Sequence, residues 1–149
     1  MSRAYTTRRQ QIVGALVTKL KTINGTGAFL TNLHSNVVGR LLFWDEVDQF
    51  PAVHINAGSE TREYQGGGYK DRFLSITLRC YVNEEDAALA LDKLLEDVET
   101  VVETNSRLPY TDKQGVAQFT QQITIVSIDT DEGVLEPLGV GEMLIEVRY

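Results

Sequence analysis

Phe73-Leu74-Ser75-Ile76-Thr77-Leu78-Arg79-Cys80-Tyr81-Val82, followed by Asn83-Glu84-Glu85-Asp86 and an apolar–acidic run to Glu103, decides the reading of the fold. In the first half Leu74, Ile76, Leu78, Cys80 and Val82 alternate with Phe73, Ser75, Thr77, Arg79 and Tyr81. A period of two puts one set on a dry face and the other on a mixed face, so this is a strand packed on one side. The period then changes. Ala87, Leu91, Leu94, Val98 and Val101, widened by Ala88, Leu95 and Val102, recur at helical spacing, with Asp92, Glu96, Glu99 and Glu103 opposite. The second half reads as an amphipathic helix lying on a sheet, with Asn83 as its cap and acids in its first turn, where the helix dipole favours them.

Working outward, Gly66-Gly67-Gly68 makes a flexible turn before this strand, and Glu60 to Gln65 is a polar strand before the turn. The pair reads as a β-hairpin. Pro51 opens a further strand, Ala52 to Asn56, at a position where its missing N–H is tolerated. Nearer the start, Thr7 and Gln10 have capping-box spacing, and Ile12, Val13, Leu16, Val17, Leu20 and Ile23 form one helical stripe that Asn24-Gly25 ends. Between these, Ala28 to Leu30 and Asn36 to Val38 read as short strands, with a bend at Gly39. Beyond the acidic helix, Asn105 to Gly115 reads as a mobile polar connector. Ala117 to Asp129 and Glu142 to Tyr149 read as strands separated by an irregular Pro137 to Gly141. Helix, strands, helix, strands, without internal repeat, gives an α+β fold: a mostly antiparallel sheet with two main helices on one face. A length of 149 residues fits one domain spanning 1–149.

Composition narrows the function. Hydrophobic residues make up 42% and charged residues 23%, ordinary values for a globular chain, and the longest apolar runs are too short to span a bilayer. The opening residues carry no signal-peptide core, and one cysteine cannot form an intrachain disulfide, so a reducing cytoplasm is the expected place of folding. The net charge of −7 is unevenly spread. Arg3, Arg8, Arg9, Lys19 and Lys21 stand without an acid among them, whereas Glu84 to Glu103 holds eight acids against Lys93. Such asymmetry suits contacts between copies or with an oppositely charged partner, and overall acidity disfavours sequence-specific DNA binding.

Catalytic chemistry finds little purchase. His34 and His54 are the only histidines, and with one distant cysteine they fall short of a zinc site. Cys80 alternates with Leu78 and Val82 on the dry face and reads as a small hydrophobe. No serine sits in Gly-x-Ser-x-Gly, and the glycine triplet lacks the Gly-Lys-Ser/Thr ending of a phosphate loop. No cofactor is expected. Contact surface is more prominent: Phe43, Trp44 and Asp45 lie in a polar-flanked segment, and Tyr64, Tyr69 and Tyr81 cluster in the hairpin. Exposed aromatics and arginines are common interface anchors.

The run Arg40-Leu41-Leu42-Phe43-Trp44-Asp45-Glu46-Val47, then Phe50-Pro51-Ala52-Val53, then Glu60 in a polar strand, then the alternating strand and acidic helix, resembles the tail terminator family of long-tailed bacteriophages. The likeness runs from about Arg40 to Glu103, and the order of elements carries it rather than any one motif. It implies a non-enzymatic virion subunit at the head-proximal end of the tail, assembled in the host cytoplasm. Such a subunit forms a hexameric ring that caps the finished tube, stops tube polymerisation and offers a head-joining surface. Implied partners are further copies of the chain, the tail tube protein and a head-completion or connector protein; DNA passes only as cargo, and no membrane is involved. Expected interface residues are Arg40, Phe43, Trp44, Asp45, Glu60, Tyr64, Tyr69 and Lys70. The acidic face of Asp92, Glu96, Glu99 and Glu103 is expected to line the channel or meet a partner. A different head–tail joining protein, or a small ligand-binding or hydrolase domain, are the competing classes.

Overall fold

The computed structural model describes residues 7–40 and 46–149. Helix α1 spans Arg8–Leu20, and Thr7 caps it by accepting a hydrogen bond from the Gln10 N–H at 3.2 Å. The helix ends earlier than Asn24-Gly25. The Thr22 hydroxyl donates to the Lys19 carbonyl at 2.6 Å, and the backbone tightens into Lys19–Thr22 and Leu20–Ile23 turns. This competition for a helix carbonyl is typical of threonine near a terminus. Ile23 still reaches the core, and Asn24 builds the next turn by accepting from the Thr26 N–H at 3.1 Å.

Strand β1 is Val37–Val38, parallel to the strand that opens at Ala52, and Gly39 bends as expected; Ala28 to Leu30 is irregular rather than a strand. β2 (Ala52–Tyr64) and β3 (Lys70–Asn83) form one long antiparallel hairpin. The two expected segments of β2 are therefore continuous, joined across a bulge between Ala57 and Glu60. Helix α2 covers Ala87–Thr104. Its cap is Asp86, which accepts from the Leu89 N–H at 3.3 Å, not Asn83. Asn83 pairs instead with Leu138 as the last rung of β3. Sheet pairing outlasts the apolar alternation there, and the helix starts one acidic tripeptide later.

The expected connector is corrected most. Pro109–Thr111 (β4) pairs with Ala117–Phe119 (β5), and Leu108 and Tyr110 are buried beneath α1. Two apolar side chains in a polar stretch sufficed to dock it. The strand expected from Ala117 breaks at Thr120, whose hydroxyl accepts from the Leu108 N–H, and resumes as β6 (Gln122–Thr130). β7 begins at Leu138, so most of the supposedly irregular Pro137 to Gly141 is strand.

The main sheet has the order β1-β2-β3-β7-β6. Val53 and Ile55 of β2, Leu74, Ile76, Leu78, Cys80 and Val82 of β3, Met143, Ile145 and Val147 of β7 and Ile123 of β6 share one face through their register. Both helices cover that face, α1 over β2 and β4, α2 over β3, β7 and β6. Gly139 lets α2 approach: a Cβ there would lie 2.7 Å from a Val82 methyl and 3.3 Å from Ala87. The α+β fold expected from the sequence is the observed one.

Candidate assembly interface

The β2–β3 hairpin is longer than the sheet that supports it. β7 and the Tyr149 that follows it pair with β3 only from Arg72 onward, and every residue from Thr61 to Lys70 is exposed. The hairpin therefore projects as an arm. Four strand residues at about 3.4 Å each carry its tip some 14 Å beyond Glu60. Gln65 donates to the Tyr69 carbonyl at 2.7 Å across a turn in which Gly67 and Gly68 have φ of 77° and 83°. Positive φ is where glycine is favoured. Tyr64 and Tyr69 are 73% and 75% exposed, with the Lys70 ammonium 6.0 Å from the Tyr64 ring. Large aromatics this exposed, on an arm, are a contact feature rather than a core feature.

Of the other expected interface residues, Arg40 is exposed in the bend after β1, and Phe43, Trp44 and Asp45 lie outside the described residues. Glu60 is engaged within the chain, accepting hydrogen bonds from the Tyr149 hydroxyl and from Arg62 Nε (2.8 Å). Burial works against its ionisation, but these donors outweigh it and hold its carboxyl below the usual range. Tyr81 does not join the exposed tyrosines. It is buried on the sheet's other face beside His54, with ring centroids 5.1 Å apart.

The base of the arm forms a basic groove from residues distant in sequence. Arg8 and Arg9 of α1, Arg62 and Arg72 of the arm, and Lys113 of the β4–β5 turn surround Tyr149. Arg72 and Arg8 lie 5.5 and 6.0 Å from its ring, and Tyr110 meets it edge-on at 6.4 Å. The one rim carboxylate, Asp112, is spent on its own turn, accepting from Val116 N–H at 2.9 Å and Gln114 N–H at 3.0 Å. Arg62 and Arg72 stand directly opposite each other across the hairpin. Like charges in that position repel; Arg62 is paired with Glu60, and Arg72 has no ion pair among the described residues. Hairpin parity about the glycine turn was the available signal.

Helix α2 presents the opposite charge. Asp92, Glu96 and Glu103 are exposed and Glu99 is half-exposed. Asp97, counted with these acids in the sequence, is 1% exposed and points the other way. It accepts from Leu30 N–H (2.9 Å), Thr31 N–H (2.7 Å) and the Thr31 hydroxyl (2.5 Å), tying the loop after α1 to α2.

The residues that most resemble catalytic groups are poorly placed for it. Burial pushes the Cys80 thiol up to about 12, away from the thiolate form. Burial, then Arg79 and Arg40, lower the pKa of His54. Among the described residues no three His, Cys, Asp or Glu side chains group as metal ligands, and no helix is long and apolar enough to cross a membrane.

A projecting aromatic arm, a basic groove and an acidic helix are the prominent surface features of the described residues. A family model described as bacteriophage tail tube terminator protein matches residues 6–149. The chain is 34% identical over 149 residues to tail tube terminator protein p142 of Escherichia phage T5, covering 95% of this chain and 92% of that one. A chain from the virion of a native gene transfer agent particle shares the fold, with a TM-score of 0.56 at 11% identity over 92% of this chain and 96% of that one. The chain belongs to the bacteriophage tail tube terminator family, and is a structural, tail-terminating protein of the virion.

Proposed function

We propose that the chain, acting as one unit, assembles into a hexameric ring that caps the completed tail tube at its head-proximal end. One face of the ring matches the last layer of tube subunits; the other does not repeat it, so polymerisation stops there. That second face offers the joining surface for a head-completion or connector protein, and DNA passes through as cargo. A heterologous contact that closes on itself gives such a ring. Folding and ring formation take place in the host cytoplasm.

The observation that carries this reading is the arm, ten consecutive exposed residues with two aromatic side chains near the tip and no covering surface among the described residues. Strand pairing alone does not stabilise an isolated two-stranded ribbon, so a neighbour that covers it is the economical explanation. Native mass spectrometry of the purified protein, with electron microscopy of tubes grown in its presence, tests the proposal. A ring mass and tubes capped at one end are expected. A protein that remains monomeric at high concentration and leaves tube growth unaltered refutes it.

A further inference from the structure

The two charged features of the helix layer lie on opposite flanks. The basic groove sits where α1, the arm and the β4–β5 turn meet, on the β2 side of the sheet. Five cations line it, and the two nearby carboxyls, Asp112 and Glu60, are both taken up within the fold. Arg8, Arg72 and Lys113 make no salt bridge among the described residues. In a chain of net charge −7 this is a local excess of the opposite sign.

α2 lies over β3, β7 and β6, toward the other edge. At about 100° per residue, Asp92, Glu96, Glu99 and Glu103 fall within one sector of the helix, turned well away from Asp97. Asp97 marks the flank that faces the loop after α1. The acids therefore lean away from α1 and toward the β6 edge. That edge also exposes apolar side chains: Val126, at a bulge, is 55% exposed and Ile128 is 42% exposed. Exposed apolar residues on an edge strand indicate a surface that becomes covered.

We propose that the basic groove is the seat for the acidic face of α2 of the next copy, so that each ring contact joins the β2 side of one subunit to the β6 side of its neighbour. The inference rests on the ring reading and specifies its contact. Opposite charges on opposite flanks form a head-to-tail pair that repeats around a rotation, whereas two like flanks brought together repel. Arg72, opposed to Arg62 and without an ion pair among the described residues, gains a carboxylate partner in this arrangement. Residues Met1 to Thr6 include Arg3 and no acidic side chain, so their composition offers the groove no counter-charge.

The test is a charge-reversal cycle read by native mass spectrometry and sedimentation at low and moderate salt. One variant carries Arg72→Glu with Lys113→Glu, a second Asp92→Lys with Glu96→Lys, and a third combines all four. Lys113→Glu alone, on an exposed turn, serves where Arg72→Glu disturbs folding. Each one-sided variant is expected to weaken self-association by about tenfold or more, and the combination to recover most of the loss. Wild-type assembly is expected to weaken as salt rises. If wild type forms rings and the one-sided variants form them equally well, this contact is wrong while the ring stands. If wild type never assembles, both readings fall. If groove reversal abolishes binding to duplex DNA but leaves ring mass unchanged, the groove serves nucleic acid and the pairing is overturned.

Discussion

Replacing Asp97 with alanine removes the acceptor of three donors at once: the N–H groups of Leu30 and Thr31 and the Thr31 hydroxyl, at 2.5 to 3.0 Å. A buried donor left without a partner costs about 1–3 kcal/mol. Leu30 is 60% exposed and Thr31 half-buried, so water replaces part of the loss, and the low end of that range applies to each donor. Alanine returns about 0.6 kcal/mol as the better helix former. The net expectation is about 2–3 kcal/mol of destabilisation, a large part of the ~5–15 kcal/mol that holds a domain folded. Urea denaturation followed by circular dichroism measures it, with an unchanged denaturant slope confirming that the same surface unfolds. Asp97→Asn keeps one acceptor but turns an amide N–H₂ toward a donor, so it falls between Asp97→Ala and Thr31→Val, which loses about 1 kcal/mol. An Asp97→Ala stability within about 0.5 kcal/mol of wild type, an ordinary value for surface changes, would show that this buried carboxyl does not anchor the loop.

Other outcomes follow from single features. Tyr64→Ala with Tyr69→Ala is expected to shift the protein toward monomer in light scattering while leaving its melting temperature nearly unchanged, because both side chains are mostly exposed. An unaltered assembly state discards the role given to the arm. Gly139→Ala drives a methyl to 2.7 Å from Val82 and against α2, costing about 1–3 kcal/mol in chemical denaturation. Gly141→Ala, which meets the flexible Leu91 side chain at 3.2 Å and the Asp129 carbonyl at an ordinary 3.4 Å, is expected to cost less, and the reverse order contradicts the packing described. Burial and the hydrogen bond to Glu60 push the Tyr149 hydroxyl up to about 12. Its folded pKa lies above the ordinary value of 10, so its contribution is complete below pH 10 and is lost as pH rises toward 12. Tyr149→Phe is therefore expected to flatten the alkaline decline in melting temperature, and an equally steep decline argues against the coupling.

Features with strict local periodicity could be read before the structure. The alternation from Leu74 to Val82, the apolar stripe from Ile12 to Leu20 and the α2 seam each name their own element, because a buried face must repeat with the backbone. What escaped was set by pairing across distance. Leu108 and Tyr110 look like strays in a polar stretch until α1 supplies the surface they pack against. Asp97 looks like its acidic neighbours, and only the loop that arrives from residues 30 and 31 makes it a core acceptor. The candidate interface was half legible. Tyr64, Tyr69 and the acids of α2 stand out by type, whereas the basic groove draws its cations from α1, the arm and the β4–β5 turn. Composition cannot bring those together; topology does.

The irregularity in β2 sets which face each later side chain of that strand takes. Up to Ala57 the strand pairs with Ile76; past the bulge Glu60 pairs with Leu74, so one extra residue has been absorbed. Had the ladder run on evenly, Arg62 would face Asp71 and Glu63 would face Lys70, two attractive pairs in place of Arg62 with Arg72 and Glu63 with Asp71. Local attraction thus favours a slipped arm that turns Arg62 away from the groove and Glu63 toward it. The guanidinium of Arg9 donates to the carbonyl of Gly58, inside the bulge. A side chain from the first helix thus meets the bulge itself, and Arg9→Ala is expected to loosen the register of the arm, read as faster amide exchange from Thr61 to Lys70.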